Sequence, residues 1–424
     1  MAALNSRKMR NWQLVGFVSI LSACLVIGGL SGVAVAAGKG PIRIGFLAPL
    51  AGSRAQVGAD MVDGFKMFLE EINYTMAGRK VELFVEDHGT PDMAISKVRK
   101  LITHDKVDIV AGIFATHVTY AVAPLCKEAS IGLIITGAAG ADVTQRKWEK
   151  NILRVNHASS QVGHVAGDYA YHHLKWREAA ILGWEHAFGQ ETIGAFQRVF
   201  EEAGGKVVQR IYVPRTTLDF GPYVGSLKRD ADGLFAVITA APAMRFFKTL
   251  KGRGFMNKWK VLSVLTATDE SFLQQMGDTG LGVLSVNTYS GALDIPENVK
   301  FRKNVEKSLK REVTGPIMDS YVAAEWVAMA VKAVNGNVED RDRFMDALQA
   351  VEIPDSPHGH LKLDKYGNIV CDVYVRRVDK VGGRYQNTVI YTYPKVSQFW
   401  KYDPDTFVKE PLYTRNNPPC KYCK

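Results

Sequence analysis

Past Gly38 the sequence has no uncharged apolar run long enough to cross a bilayer, which excludes a polytopic membrane protein. It also lacks the short signatures of common catalytic sites. There is no Gly-x-Ser-x-Gly elbow, no His-Glu-x-x-His, no phosphate loop ending in Gly-Lys-Ser/Thr, and no Gly-x-Gly-x-x-Gly after the first strand. His172-His173 stands in a helical segment without a third ligand at metal spacing. Cysteine is scarce: of five, Cys24 lies in the N-terminal apolar run, Cys126 and Cys371 are far apart, and Cys420 and Cys423 form a Cys-x-x-Cys at the tail. A small disulfide scaffold is thereby excluded. The tail pair has no partner pair with which to build a zinc site, so a local Cys420–Cys423 disulfide is expected. No metal and no cofactor are expected anywhere in the chain. A one-sided charge field is missing too. The formal charge of +10 falls to +7 without Arg7, Lys8 and Arg10, and the remaining basic residues are interspersed with acidic ones. Nucleic acid is a poor candidate partner on that basis.

What is present begins with a basic N-terminus, an apolar run from about Leu14 to Val33 and a closing Ala34-Val35-Ala36. That order predicts a secretory signal over residues 1–37, cleaved after Ala36 or Ala37. Two alternatives stay open: an uncleaved membrane helix, and lipidation at Cys24, where Leu25-Val26-Ile27 follows in place of a polar tether. All three put the rest of the chain outside the cytoplasm.

The remaining residues, roughly 390 of them, exceed what one hydrophobic core usually organises, so two domains are expected. Short β-branched runs alternate with segments of helical period, the pattern of parallel strands joined by right-handed helical crossovers. Ile42–Leu47 reads as a strand, Pro49–Ser53 as a tight loop, and Met61, Phe65, Phe68, Leu69 and Ile72 as one face of a helix. Val81–Val85 follows as a strand, then a helix with Ala94, Val98 and Leu101 inward, then strands at Ile109–Gly112 and Leu133–Ile135. A second lobe repeats the rhythm at Ala179–Leu182, Val207-Val208, Phe235–Ile238 and Val261–Ser263. The expected fold is α/β, two doubly wound parallel-sheet lobes facing each other.

In open parallel sheets a ligand sits beyond the carboxyl ends of the strands, so the residues just after each strand carry the information. Here they are Ala51, Gly52, Ser53 and Arg54, then Phe114-Ala115-Thr116-His117, then Thr136-Gly137-Ala138-Ala139-Gly140. The last two segments read as leading into helices, whose N-terminal N–H groups suit a carboxylate. Small residues also serve such loops merely by letting them turn.

Ile42 to Asn73, with its Pro-Leu-Ala-Gly turn, Gly58 and Glu70-Glu71-Ile72-Asn73, resembles the opening of the type I periplasmic binding proteins of the branched-chain amino acid ABC transporter family. Gly112 to Thr144, Phe188-Gly189-Gln190, Asp219-Phe220 and Gly359–Asp364 with Gly367-Asn368 carry the resemblance through residues 41 to 393. The Gly112–Thr144 and His358–Arg376 stretches look nearest to members associated with aromatic acids. The resemblance implies a three-segment hinge, placed here near Asn156, Thr288 and Ser356. Residues 41–155 with 290–355 would form the first lobe, 156–287 with 356–393 the second, and 394–424 an aromatic tail along a lobe surface.

Within the resemblance, Ala115-Thr116-His117 and Ala138-Ala139 correspond to the turns that hold a ligand carboxylate. Where amino-acid binders commonly have two serines and a closing tyrosine, this chain has Thr116-His117 and Val57. Phe188 ahead of Gly189 matches the second lobe's aromatic contact, and with Trp184 and His186 suggests a wall for a flat apolar guest. Trp184 is alternatively core. Arg54 would clamp a carboxylate in bidentate fashion, or is a solvated surface residue. Past the strand Val261–Ser263, where the family has an acidic residue that pairs a ligand ammonium, Asp269 and Glu270 follow the intervening Thr266-Ala267-Thr268. Which of these side chains enters the cleft stays open, and Tyr289 either reaches the ligand or packs the hinge.

The implied function is that of a periplasmic, monomeric, non-enzymatic protein that captures a small organic acid, aromatic by preference, and delivers it to an ABC permease. An amino-acid ligand of the same transporter class and a receptor role for a membrane sensor are the alternatives.

Overall fold

A computed structural model describes residues 40–423; the export signal expected over 1–37, Cys24 included, lies outside them. The described residues from Pro41 onward form two sheets. The first contains β1 (Ile42–Ala48), β2 (Thr75–Met76), β3 (Arg79–Asp87), β4 (Ile109–Gly112), β5 (Gly132–Ile135) and β6 (Ile152–Arg154), in the order β2-β3-β1-β4-β5-β6. All its pairings are parallel except the short β2–β3 hairpin. The order reverses direction at β1, as in a doubly wound sheet, and this reversal opens a crevice at the carboxyl ends.

Helices cover both faces because the central strands are apolar on both sides. Met61, Phe65 and Leu69 of the helix Ala55–Glu71 are buried on one face. Phe68 and Ile72 pack more peripherally against that core. Ala94, Val98 and Leu101 of the helix Pro91–Thr103 are buried on the other, as their spacing predicted. Thr90 caps that helix by accepting from the Met93 N–H, with Pro91 in its first turn.

The second sheet adds β7 (Glu178–Trp184), β8 (Lys206–Val213), β9 (Gly233–Val237), β10 (Lys260–Val264) and β11 (Leu284–Asn287), all parallel to their neighbours in the order β8-β7-β9-β10-β11. After β12 (Glu352–Ser356) and β13 (Gly359–Leu363), the chain forms a long hairpin of β14 (Ile369–Val381) and β15 (Arg384–Val396). The β14 strand joins the parallel sheet antiparallel to β11. The fold class read from the sequence is therefore the one observed.

The three linking segments follow from packing. Tyr289, Phe301, Ile317 and Trp326 return to the core of the first sheet, and so do Ile353, Leu361, Ile369 and Cys371. Val373, Val375 and Val378 lie in the core of the second. Core side chains change sheet between Cys371 and Val373, while β12 and β13 are already hydrogen-bonded through β14 to the second sheet. Beyond β15, Phe399, Phe407 and Tyr413 bury themselves around Ala195, the Tyr413 hydroxyl lies 3.2 Å from His164 Nε2, and Cys420 is bonded to Cys423. No helix among the described residues is long and apolar enough to cross a membrane.

Gly64 lets two helices of the first lobe cross closely. A Cβ there would stand 2.1 Å from the carbonyl oxygen of Ile317, on the helix Gly315–Ala333. Gly64→Ala is therefore expected to destabilise the protein by about 1–3 kcal/mol through overpacking, read as a lower urea midpoint.

Candidate functional site

The carboxyl ends of β1, β4 and β5 on one lobe face those of β7 to β11 on the other, and between them lies a cavity of about 840 Å³, open to solvent. Sharp turns deliver the lining residues. Ile113, Ala240 and Leu265, each one to three residues past a strand, adopt positive φ values of 66, 60 and 52° without being glycine. Such conformations persist where the surroundings over-determine them, and they cluster at binding sites.

One end of the cavity is basic. Arg54 comes from the turn after β1, Thr116 and His117 from the start of the helix Thr116–Glu128, and His186 and Arg215 from the loops after β7 and β8. Arg215 reaches across to within 3.0 Å of His117 Nε2. Neither arginine has an acidic partner among the described residues. Burial, then Arg215, lowers Arg54 to about 10. Burial and the two arginines hold His117 near 4 and His186 near 3, so both imidazoles are neutral at pH 7. The first-turn N–H groups of Thr116 and His117 have no acceptor within their helix.

The opposite end is acidic and buried. Asp269 is 3 % exposed, with Oδ1 accepting from Ser271 N–H at 3.0 Å. Burial, then Glu270, pushes it up to about 7. Asp319, from the helix Gly315–Ala333, is pushed well above the carboxylate range by burial and by Asp269, and its Oδ1 has no partner. His157 at the hinge is held near 3 by burial and Arg154, and its Nδ1 is likewise unpartnered. Phe114, Phe188 and Leu265 supply apolar surface between the two ends.

Arg376 of β14 holds this acidic end in place. Its guanidinium is fully enclosed and donates to the carbonyls of Tyr289 at 2.7 Å and Leu265 at 3.0 Å and to Ser285 Oγ at 3.2 Å, with Glu270 at 3.9 Å. Glu270 turns away from the cavity, accepting from Asn387 Nδ2 at 2.8 Å. Asp269 is thus the acidic residue of that pair that faces the cleft.

Of the residues named from sequence, Arg54, Ala115, Thr116, His117, Ala139, Phe188, Thr266, Asp269 and Tyr289 line the cavity. Tyr289 commits its hydroxyl to Asn298 at 2.6 Å, which leaves its ring to the site. Two residues do not belong. Ala138 is 1 % exposed and its N–H already donates to the Ile113 carbonyl at 2.8 Å. The turn it begins leads only into a 3-10 turn, Ala141–Thr144, whose first N–H donates to the Glu191 carboxylate at 2.7 Å. A carboxylate of the protein itself fills the anion site expected there. Trp184 is 1 % exposed and packs on Phe220 at the end of β7, so it is core.

Sequence reading missed Arg215, His157 and Asp319. Arg215 follows β8 directly after Pro214, so the rule applied to the other strand ends would have found it had β8 been extended past Val208. A carboxylate in the otherwise uncharged stretch Gly315–Ala324 was the only signal for Asp319. Nothing local marks His157.

Residues 41–383 match the family described as periplasmic binding protein. A Leu/Ile/Val-binding protein homolog 6 from Brucella melitensis is 26% identical over 367 residues, covering 84% of this chain and 92% of that one. An ABC transporter substrate-binding protein from Sphaerobacter thermophilus superposes with a TM-score of 0.80 at 30% identity, over 84% of this chain and 99% of that one. A solute-binding protein of an ABC transporter from Rhodopseudomonas palustris, solved with 3,4-dihydroxybenzoic acid, gives 0.80 at 27% identity, over 84% and 98%.

Two measurements check the acidic end. Arg376→Met removes the donor from two buried carbonyls and the neighbouring cation from Glu270, and a loss of about 3–5 kcal/mol is expected in denaturant unfolding. Asp269 keeps its proton in the folded chain up to about pH 7 and loses it near 3.8 when unfolded, so its contribution makes stability fall as pH rises through that window. In Asp269→Asn the fall should be shallower, measured as the unfolding midpoint against pH.

Proposed function

This chain belongs to the periplasmic binding protein family, and from that premise we propose that it is the extracytoplasmic substrate-binding component of an ABC importer. It captures a small aromatic carboxylate between its lobes and presents the closed form to the membrane permease. The observation that carries the ligand class is the polarity of the cavity. At one end Arg54 and Arg215 have no acidic partner among the described residues, aromatic and aliphatic side chains line the middle, and protonatable Asp269 and Asp319 stand at the other end.

A carboxylate between two guanidinium groups forms charge-assisted hydrogen bonds, the stronger kind. A flat ring beside Phe188 gains stacking of about 0.5–1.5 kcal/mol beyond area burial. The deep acids suit a phenolic hydroxyl, which both donates and accepts, and the dihydroxybenzoic acid in the Rhodopseudomonas palustris protein supports that reading. The same acids favour a second reading, an aliphatic amino acid whose ammonium pairs with Asp269. Against it, burial drives both acids toward the neutral form, and a buried ammonium needs an ionised partner.

Calorimetric titration separates the two. 3,4-Dihydroxybenzoate and 4-hydroxybenzoate are expected to bind, their methyl esters to lose about 1–3 kcal/mol, and leucine to give no heat. Phe188→Ala should weaken the aromatic acids. Leucine binding that Asp269→Asn abolishes and Phe188→Ala spares would instead establish the amino-acid reading.

A further inference from the structure

Arg54 and Arg215 come from opposite lobes and line the same cavity. Arg215 stands 3.0 Å from His117 Nε2, Arg54 is close enough to act through space on His117 and to feel Arg215, and neither arginine pairs with a carboxylate among the described residues. Two neighbouring carboxylates have other partners. Asp87, beside His88, accepts from the N–H groups of Leu50 and Gly89, and Glu185, beside His186, is paired with Arg415 of the tail. His88, His117 and His186 are neutral near pH 7, burial being the first cause for each. Two like charges facing each other across a closing gap repel, and the repulsion grows as the gap narrows and water leaves it. An anion placed between them reverses the sign of the interaction.

We propose that Arg54 and Arg215 form an anion-operated gate: their repulsion opposes closure of the unliganded lobes, and a ligand carboxylate seated between them converts the same pair into the clamp that holds the lobes shut. The gate deepens the carboxylate reading above, because it makes the anion the trigger of closure and not merely a group to be recognised. It accounts for two arginines where one fork would suffice to bind a carboxylate. A neutral analogue that fits the cavity leaves the repulsion in place and closes the lobes poorly. Ligand can shift the open and closed populations only by its differential interaction with them, and here that difference is concentrated at one pair of charges.

Small-angle X-ray scattering of the ligand-free protein tests the gate without any knowledge of the ligand. Wild type is expected to contract as sodium chloride is raised, because salt screens the pair. Arg215→Gln and Arg54→Gln should each be more compact than wild type at low salt and insensitive to salt, and Arg215→Lys, which keeps the charge, should behave as wild type. Equal radii for wild type and both glutamine variants at low salt would overturn the proposal, as would a lysine variant that behaves like glutamine. A companion titration compares 4-hydroxybenzoate with 4-hydroxybenzamide. The preference for the acid should fall by about tenfold or more in Arg215→Gln. If neither compound binds wild type, the ligand reading fails, while the scattering result still decides the gate.

Discussion

The site rests on one buried guanidinium. Arg376 sits on β14, which runs antiparallel beside β11, and its donors reach the turn after β10, the crossing at Tyr289 and the strand β11 itself. A charge taken out of water costs several kcal/mol unless its donors are satisfied. Those carbonyls are therefore held where the guanidinium needs them, and Leu265 is held in its left-handed turn. Thr266 and Asp269 follow from that turn, so the acidic end of the cavity inherits its geometry from a residue that touches no ligand.

Desolvation then sets the chemistry. It drives Asp269 and Asp319 up and His117, His157 and His186 down, so nearly every titratable group in the cleft moves toward its neutral form. Arg54 and Arg215 are the exceptions, since a guanidinium stays protonated even when lowered to about 10. The cavity thus combines two fixed positive charges with neutral polar atoms that lack protein partners, among them Asp319 Oδ1, His157 Nδ1 and His186 Nε2. Unpartnered buried atoms discriminate strongly, because a guest without the matching group leaves them unsatisfied.

The aromatic tail shows how far the second lobe's surface is built over. Arg146, in the segment between β5 and β6, donates to the Glu410 carbonyl at 2.8 Å, while Arg198 pairs with the Glu410 carboxylate and stacks over Tyr402. These contacts fix the tail on the helices Ser159–His172 and Ala187–Glu202, on the outside of the lobe that presents Phe188 and Arg215 inward.

The alternation of apolar runs determined the two-lobed α/β fold, because a strand buried on both faces and a helix buried on one write different periods into the chain. The rule that ligands meet strand ends found Arg54, Ala115, Thr116, His117 and Ala139, since that rule depends only on chain order, and the family resemblance added Phe188, Thr266, Asp269 and Tyr289. What required the tertiary structure was anything contributed from far away. Whether an N–H is free depends on what else reaches it, so Ala138 could not be separated from Thr116 until Ile113 and Glu191 were in place. Trp184 turned inward because Phe220 offered it a core. Asp319 and Arg215 meet the cleft from different lobes, and Arg376 acts through carbonyls that carry no sequence signature. Local sequence encodes period and turn chemistry. Which polar groups remain unpaired, and which charges face each other, is decided only when the two lobes are brought together and water is removed from between them.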